Sequence, residues 1–192
     1  VVRYDPKGFA QRRPNGQGGW TWSLGDTPRV LYHLDQLARA PKDDSWCYIV
    51  EGEKDADLLR EQGLLATTNV GGAGKWRSEY NETFRDRHVV IIPDNDEPGR
   101  KHATAVAASL DGITASLRIV HLPDLPPKGD ISDWLTHHGT DDDLRQLIAR
   151  TPLYETPMHH TTNGHVHAAS RGPSPPAARP LLPPRFATIT SY

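Results

Sequence analysis

Carboxylate side chains follow three separate apolar segments of the sequence. Glu51 comes directly after CYIV, Asp94 and Asp96 come after VVIIP, and Asp130 and Asp133 follow SLRIVHLP after a proline-rich loop. Carboxylates held close together repel one another and raise each other's pKa unless a cation lies among them. Oxygen ligands without cysteine favour Mg²⁺ or Mn²⁺, which retain waters and bridge to phosphate. The sequence therefore predicts a divalent-metal site that acts on phosphate groups.

The same acids also have a structural explanation. Asp55 lies four residues after Glu51, at the start of the next predicted helix, so the two can lie on one side of that turn. An acid that follows a strand often caps the next helix, and Asp94 or Asp96 could have that role alone. A single acid would favour the cap, whereas three groups at three strand ends favour the metal site.

A glycine-rich segment, GGAGKW at residues 71–76, invites comparison with a phosphate-binding P-loop. The match fails, because Trp76 stands where that loop requires Ser or Thr and Asn69 stands where it requires its first glycine. The backbone amides of the segment could still hold a phosphate or a template strand, assisted by Lys75. The alternative is a plain glycine turn.

Strand and helix patterns alternate in the middle of the chain. Buried strands are predicted in WCYIVEG, LLATTNV, HVVIIPD and SLRIVHLP, and helices in EKDADLLREQG and GRKHATAVAASLDG, which end at Gly63 and Gly112. This order implies right-handed crossovers and a mainly parallel sheet. We therefore expect an α/β fold of about four strands flanked by helices, with the acids at the carboxyl edge of the sheet.

The N-terminal segment, residues 1–45, has a different pattern. The Asn-Gly pair in PNGQGG lies between runs of alternating aromatic and polar residues and predicts a β-hairpin. Basic and aromatic residues are interleaved here, which suits a nucleic-acid surface: Arg3, Lys7, Arg12, Arg13, Tyr4, Phe9, Trp20 and Trp22. Arg12 and Arg13 are the candidate DNA-binding residues. The alternative is that the aromatics pack on the neighbouring domain, predicted at residues 46–150.

The C-terminal segment, residues 151–192, is rich in proline and histidine and is predicted to be a disordered tail. Four of its histidines could bind a metal, but a solvated polar chain is the simpler interpretation: His159, His160, His165 and His167.

The composition narrows the remaining classes. The net charge of −2 gives the chain no general attraction to nucleic acid, so any such affinity must come from local patches. The single cysteine, Cys47, excludes a disulfide framework and a cysteine-based zinc ribbon within these residues. The sequence has no apolar run long enough to span a membrane and no signal peptide, and a cytoplasmic location is expected.

Two motifs, VEGEKDADLL and IIPDNDEPGRKHA, resemble the signature motifs of the TOPRIM domain, which bacterial-type DNA primases, topoisomerases and some nucleases share. Their spacing is also similar, since Asp94 follows Glu51 by 43 residues. The pattern is most similar to primases and primase-helicases of phages and mobile elements. The resemblance covers about residues 46–150.

The resemblance implies a role for each acid. Glu51 corresponds to the family's glutamate, which acts in acid/base chemistry or binds metal, and Asp94 and Asp96 correspond to its paired metal-binding aspartates. Asp55 matches the acid that follows the glutamate in primases. The family's later acid corresponds to Asp130 and, less closely, to Asp133.

The resemblance also implies substrates and partners. Arg100 and Lys101 would suit nucleotide phosphates, and the family synthesises short RNA primers from nucleoside triphosphates on single-stranded DNA with Mg²⁺. Primases usually carry an upstream zinc-binding module and a larger polymerase region, and a helicase often follows in this branch. This sequence contains no zinc-binding module, no larger polymerase region and no helicase motif. We therefore expect a catalytic core cut from a longer protein, or the product of a gene that has lost its ends, with a helicase or a separate zinc-binding module as candidate partners.

Three functions are compatible with the sequence: a primase, a nuclease and a DNA- or protein-binding module. The leading hypothesis is a primase-type nucleotidyltransferase. A TOPRIM nuclease would use the same acids to cleave phosphodiesters, whereas a topoisomerase would need a tyrosine nucleophile on a further domain. From a different class, the chain would only bind DNA or a replication partner through its N-terminal hairpin and catalyse nothing.

Overall fold

The structure, a computed structural model, describes residues 2–4, 8–137 and 139–156. The chain divides into two compact units, one up to Val30 and the other from Leu31 onward. Residues 151–156 of the predicted tail are described, whereas the rest of it, from residue 157 onward and including its four histidines, lies outside the described residues. The domain boundaries proposed at residues 45 and 150 stay predictions.

The first unit contains two small antiparallel sheets. Strands β1 (Val2–Tyr4) and β2 (Gly8–Ala10) pair with each other, and β3 (Arg13–Pro14) pairs with β4 (Trp20–Thr21). The turn between β3 and β4 is the PNGQGG segment. Asn15 stabilises it, because its Oδ1 accepts hydrogen bonds of 2.9 Å from two backbone N–H groups of the turn. The predicted N-terminal hairpin is confirmed.

The second unit is built on a four-stranded parallel sheet. Its strands are β5 (Trp46–Ile49), β6 (Leu65–Thr67), β7 (His88–Ile91) and β8 (Ser116–Ile119). Their spatial order is β6-β5-β7-β8, and every neighbouring pair is parallel. All carboxyl ends therefore lie at one edge of the sheet, as the alternating sequence pattern predicts.

Helices flank this sheet and connect its strands. They are α1 (Leu34–Arg39), α2 (Glu53–Glu61), a 3₁₀ helix (Ser78–Phe84), α3 (Glu97–Leu110), α4 (Ile131–His137) and α5 (Asp141–Arg150). Gly63 and Gly112 follow the ends of α2 and α3 with φ of +80° and +70°, the left-handed conformation that glycine adopts most readily after a helix. Among the described residues, no helix is both long and apolar enough to cross a membrane.

The sheet is buried on both faces. Alternate residues of the central strand β5 point to opposite sides, so Cys47 and Ile49 join one apolar cluster while Tyr48 and Val50 join the other. The first cluster lies under α3 and the 3₁₀ helix, and the second lies under α2, α4 and α5. Burial on both sides explains why these strands are continuous apolar runs in the sequence.

The edge strand β8 is covered by the chain that follows α5. The backbone N–H of Tyr154 donates a 2.7 Å hydrogen bond to the carbonyl of Leu117, and the Arg118 guanidinium donates to the carbonyl of Thr151. This return segment, residues 151–156, satisfies the Leu117 carbonyl, a backbone group that an edge strand otherwise leaves unpaired.

Candidate active site

The two central strands bring Glu51 and Asp94 together. Their strands, β5 and β7, are neighbours in register, with Ile49 opposite Ile91. Gly99, in the first turn of α3, lies between the two acids. A Cβ atom at this position would be 2.9 Å from Glu51 Oε2 and 2.8 Å from the carbonyl oxygen of Asp94. Glycine is needed here because any side chain would displace the acids.

Asp55 belongs to the same cluster. It is only 5% exposed, and its Oδ2 folds back over Gly52, where a Cβ atom would be only 2.8 Å away. Two carboxylate oxygens here, Oδ1 of Asp55 and Oε2 of Glu51, are buried and have no hydrogen-bond partner. Buried oxygens of this kind are costly unless a proton or cation satisfies them.

The carboxylates raise one another's pKa. Burial, followed by the charges of Glu51, Asp55, Asp130 and Asp96, raises the pKa of Asp94 to about 7. Burial and then the charge of Asp130 raise the pKa of Asp55 to about 6, with Lys54 opposing. The pKa of Glu51 is also raised, by burial first and then by Asp96. The structure therefore brings Glu51, Asp55, Asp94, Asp96 and Asp130 into one electrostatic cluster.

Asp96 also has the structural role considered above. It is the N-cap of α3, and its Oδ1 accepts a 2.8 Å hydrogen bond from the backbone N–H of Gly99. A capping aspartate keeps its second oxygen free for another ligand. The cap and the metal-ligand interpretations of Asp96 are therefore compatible.

Asp130 and Asp133 cap α4 reciprocally. Asp130 Oδ1 accepts from the backbone N–H of Asp133 at 2.9 Å, and Asp133 Oδ2 accepts from the backbone N–H of Asp130 at 3.2 Å. Ser132 Oγ donates to Asp130 Oδ1 at 2.5 Å. Burial alone would raise the pKa of Asp130, but the hydrogen bonds from Ser132 and Asp133 and the nearby Lys54 hold it below its ordinary value.

Lys54 contributes a positive charge to this acidic site. Its Nζ lies 3.7 Å from Asp130 Oδ2 and donates a 2.6 Å hydrogen bond to Ser132 Oγ. It thereby links α2 to the start of α4. Lys54 was not predicted as a site residue, although it lies within the EGEKD motif, because its partners are 76 and 78 residues away in the sequence.

Asn95 positions the loop that carries Asp130. Its Nδ2 donates to the carbonyls of Leu125 (2.7 Å) and Pro126 (3.1 Å), and its backbone N–H donates to the carbonyl of Gly129 at 2.9 Å. Asn95 was not predicted as a site residue either, although its position between Asp94 and Asp96 indicates that it lies at the site.

The glycine-rich segment is fixed by a buried histidine. His102 Nδ1 accepts a 3.0 Å hydrogen bond from the backbone N–H of Gly74, so its Nε2 carries the proton and donates to Asn69 Oδ1 at 2.9 Å. Asn69 in turn donates to the carbonyl of Gly72 at 2.8 Å. Burial lowers the pKa of His102, which keeps the ring neutral in this network. Lys75 follows as an exposed side chain.

The predicted basic residues of α3 are exposed and paired on their own helix. Arg100 Nη2 lies 3.5 Å and Lys101 Nζ 3.1 Å from the carboxylate of Glu97. Exposed pairs of this kind are weak, so both cations remain available to a phosphate. The other two predicted basic residues, Arg12 and Arg13, lie in the first unit.

The donor set fits a Mg²⁺ ion that is bound together with its substrate. Among the described residues, 2–4, 8–137 and 139–156, no three acidic, histidine or cysteine side chains form a ready metal-binding group. Mg²⁺ at nucleotide-handling sites uses one or two carboxylates, substrate phosphates and water instead of an all-protein cage. Unpaired carboxylate oxygens at Glu51 and Asp55, within a mutually repelling cluster, match that requirement.

Comparison with known proteins identifies the fold. The chain is similar to a crystal structure of a DNA primase domain from Pseudomonas aeruginosa, with 25% identity and a TM-score of 0.50 over 63% of this chain and 38% of that one. It is also similar to a DnaG primase catalytic domain bound to ssDNA, with 21% identity and a TM-score of 0.50 over 64% of this chain and 40% of that one. The chain thus spans about two fifths of either primase structure.

These neighbours establish the TOPRIM-containing fold of DnaG-type primase cores, which the two motifs predict. No family model matches the chain. A relative is found in the Gene 57 protein of Mycobacterium phage D29, which is 33% identical over 138 residues, 71% of this chain and 83% of that protein. The chain belongs to the same family as this phage protein.

Proposed function

We propose that this chain is the TOPRIM catalytic core of a DNA primase, which joins ribonucleotides into a primer on a single-stranded DNA template. The observation that carries the proposal is the carboxylate cluster at the carboxyl edge of the sheet, with buried unpaired oxygens on Glu51 and Asp55. The fold supports it, since the similar solved structures are primase domains. Such a reaction takes place beside the genome, in keeping with the expected cytoplasmic location.

The proposed reaction forms one bond and breaks one. A 3′-hydroxyl attacks the α-phosphorus of a nucleoside triphosphate, a phosphodiester forms, and pyrophosphate leaves with the electrons of the broken P–O bond. The hydroxyl proton must pass to a base. Glu51 is the candidate, because its Oε2 is buried without a partner and its raised pKa favours proton uptake.

Asp94 and Asp96 would hold the divalent ion, Mg²⁺ or Mn²⁺, with Asp130 or Glu51 as a further ligand. When bound, the ion neutralises charge on the phosphates. Asp96 offers the oxygen that it does not use for the helix cap. Asn95 and Lys54 keep Asp130 beside the cluster, and Arg100 and Lys101 extend from the start of α3 toward solvent as candidate contacts for the triphosphate. Lys75, an exposed residue within the glycine-rich segment, is a further candidate contact.

The test is primer synthesis on single-stranded DNA with labelled ribonucleotides and Mg²⁺. The purified chain would be compared with the Asp94→Asn/Asp96→Asn double variant. Asparagine is itself a good N-cap, so the second change preserves the start of α3. Asp142→Asn is the matched control, because it removes one carboxylate from an exposed position in the first turn of α5.

Short RNA products that disappear in the double variant and persist in Asp142→Asn are the expected result. Template cleavage in the same reactions, without synthesis, would replace the proposal with a TOPRIM nuclease. Synthesis that persists in the double variant would refute the roles of Asp94 and Asp96. If neither activity is found, the assay would be repeated with a separate zinc-binding module and a replicative helicase, the candidate partners. Absence of synthesis in that mixture would leave only the binding function.

A further inference from the structure

Two tryptophans of the first unit are exposed to solvent. The side chains of Trp20 and Trp22 are 51% and 57% exposed, whereas Trp134 in the second unit is 3% exposed. Large aromatic side chains are usually buried, and neighbouring exposed ones mark a surface that contacts something else. The residues around the two tryptophans determine which kind of partner this surface can bind.

The register of the hairpin places both indoles on one face. Pro14 pairs with Trp20 and Arg13 pairs with Thr21, and side chains alternate along each strand. Trp20 and Trp22 therefore share a face, and Arg12 lies on that same face. Arg13 belongs to the opposite face, where its guanidinium lies against Gly25.

Arg12 is held between the two rings. Its guanidinium carbon lies 4.0 Å from the centre of the Trp20 ring and 5.6 Å from the centre of the Trp22 ring. A guanidinium over an indole is attracted by the negative face of the ring and keeps its N–H groups free for other acceptors. The face thus combines two aromatic planes with a fixed positive charge.

The turn and the charge balance complete the surface. The Asn15 hydrogen bonds and the left-handed Gly16 and Gly18 fix the turn that joins the two strands. Residues 1–30 carry five Lys or Arg and two Asp or Glu, whereas the whole chain has a net charge of −2. The first unit is therefore positively charged, although the whole chain is slightly acidic. A positive charge beside two exposed indoles is complementary to a polyanion that carries aromatic bases.

We propose that the Arg12, Trp20 and Trp22 face of the hairpin is a stacking platform for single-stranded DNA. The indoles stack on unpaired bases, and Arg12 contacts a phosphate of the same strand. Every base has a π-face, so this binding tolerates any sequence. The inference deepens the proposed function, since the strand bound here would be the template, but binding itself requires neither metal nor nucleotide.

The test is the binding of fluorescein-labelled oligo(dT) by fluorescence anisotropy without Mg²⁺ and without nucleotides. Trp20→Ala and Trp22→Ala are each expected to weaken binding about 5- to 150-fold, whereas Trp20→Phe keeps a stacking ring and loses much less. Arg12→Ala and Arg13→Ala remove equal charge from adjacent positions, so the proposal requires a larger loss for Arg12→Ala. Arg85→Ala is the control in the second unit, since it removes the same charge from a guanidinium that pairs with Glu82 on the 3₁₀ helix.

Two results would overturn the inference. One is unchanged affinity in Trp20→Ala and Trp22→Ala, which would make the face a protein-docking surface or a bare hairpin. The other is an equal loss of affinity in the Arg12→Ala and Arg13→Ala variants, which would mean nonspecific electrostatic attraction. Primer synthesis is scored separately: loss of synthesis in Asp94→Asn with intact DNA binding separates the two proposals. Circular dichroism of each variant excludes misfolding as the cause of lost binding.

Discussion

Replacing Asp94 by Asn should stabilise the metal-free protein at neutral and alkaline pH. The pKa of Asp94 is raised to about 7 in the native protein, by burial first and by neighbouring carboxylates second, whereas an unfolded chain has an aspartate pKa of about 3.9. Between these values the native protein holds a proton that the unfolded chain releases. The free energy of unfolding therefore falls as pH rises from about 4 to about 7.

The size of the effect follows from the pKa difference. Without any screening, a pKa of about 7 against about 3.9 corresponds to a loss of roughly 4 kcal/mol in the free energy of unfolding, since each pKa unit contributes about 1.4 kcal/mol. The actual loss of stability is smaller, because Asp94 is only partly buried and solvent screens its charge. The repulsion between Asp94 and Asp55 also contributes to the raised pKa of both groups, so it cannot be assigned to Asp94 alone. We expect about 1 to 3 kcal/mol at pH 8. A change of about 2 kcal/mol raises the Tm of a chain of this size by roughly 4 to 8 °C.

The assay is thermal unfolding in EDTA at pH 4.5 and pH 8, for the wild type, Asp94→Asn and the control Asp142→Asn. Asp94→Asn should gain stability at pH 8 and little at pH 4.5, where the wild-type carboxyl is already neutral. Added Mg²⁺ should then stabilise the wild type more than the variant, because a ligand of the native state raises its stability. A destabilised Asp94→Asn at pH 8 would contradict the repulsion inferred from the structure.

Three further changes test the surroundings of the site. Gly99→Ala should destabilise the fold by about 1 to 3 kcal/mol in urea and abolish primer synthesis, because its Cβ would collide with two site oxygens within 2.9 Å. His102→Ala should speed hydrogen exchange at the Gly74 amide, because the ring nitrogen that accepts its hydrogen bond is removed. In the wild type, the same amide should lose protection as the pH falls below about 6.5. The pKa of His102 is lowered by burial, so protonation of the ring is less favourable in the native state than in the opened state. Lys54→Met should raise the pKa of Asp130 in an NMR titration and change stability by at most about 1 kcal/mol, since the Lys54 end of the ion pair is exposed and its Nζ is 3.7 Å from the carboxylate. A normal Gly99→Ala enzyme, an unchanged Gly74 exchange rate or an unmoved Asp130 titration would each contradict the corresponding contact.

Local patterns were sufficient to predict the sheet and the clustering of the acids. Apolar runs that end at Glu51 and Asp94 indicate strands, and parallel order forces their carboxyl ends to one edge, which the register of β5 and β7 confirms. The ends of α2 and α3 were equally visible, because glycine after an amphipathic run marks a helix end.

Contacts between distant segments could not be predicted in this way. Lys54 meets Ser132 only after α2 and α4 have packed on the same side of the sheet. The conformation of the GGAGKW segment depends on His102 from α3, which the motif itself does not contain. The 3₁₀ helix Ser78–Phe84 was not predicted either, because its burial comes from two aromatic residues, Tyr80 and Phe84, instead of a regular helical stripe.

The return segment beside β8 sets a limit on how the catalytic unit can be shortened. A cut after Arg150, where the last helix ends, would remove Thr151 and Tyr154, the residues that bond to this edge strand. It would also remove Thr156, which donates a hydrogen bond to Asp111 after α3. The cut would leave the Leu117 carbonyl of β8 without its partner and uncover an edge strand, which favours pairing with other chains and aggregation. A shortened protein intended for crystallisation should therefore extend through Thr156.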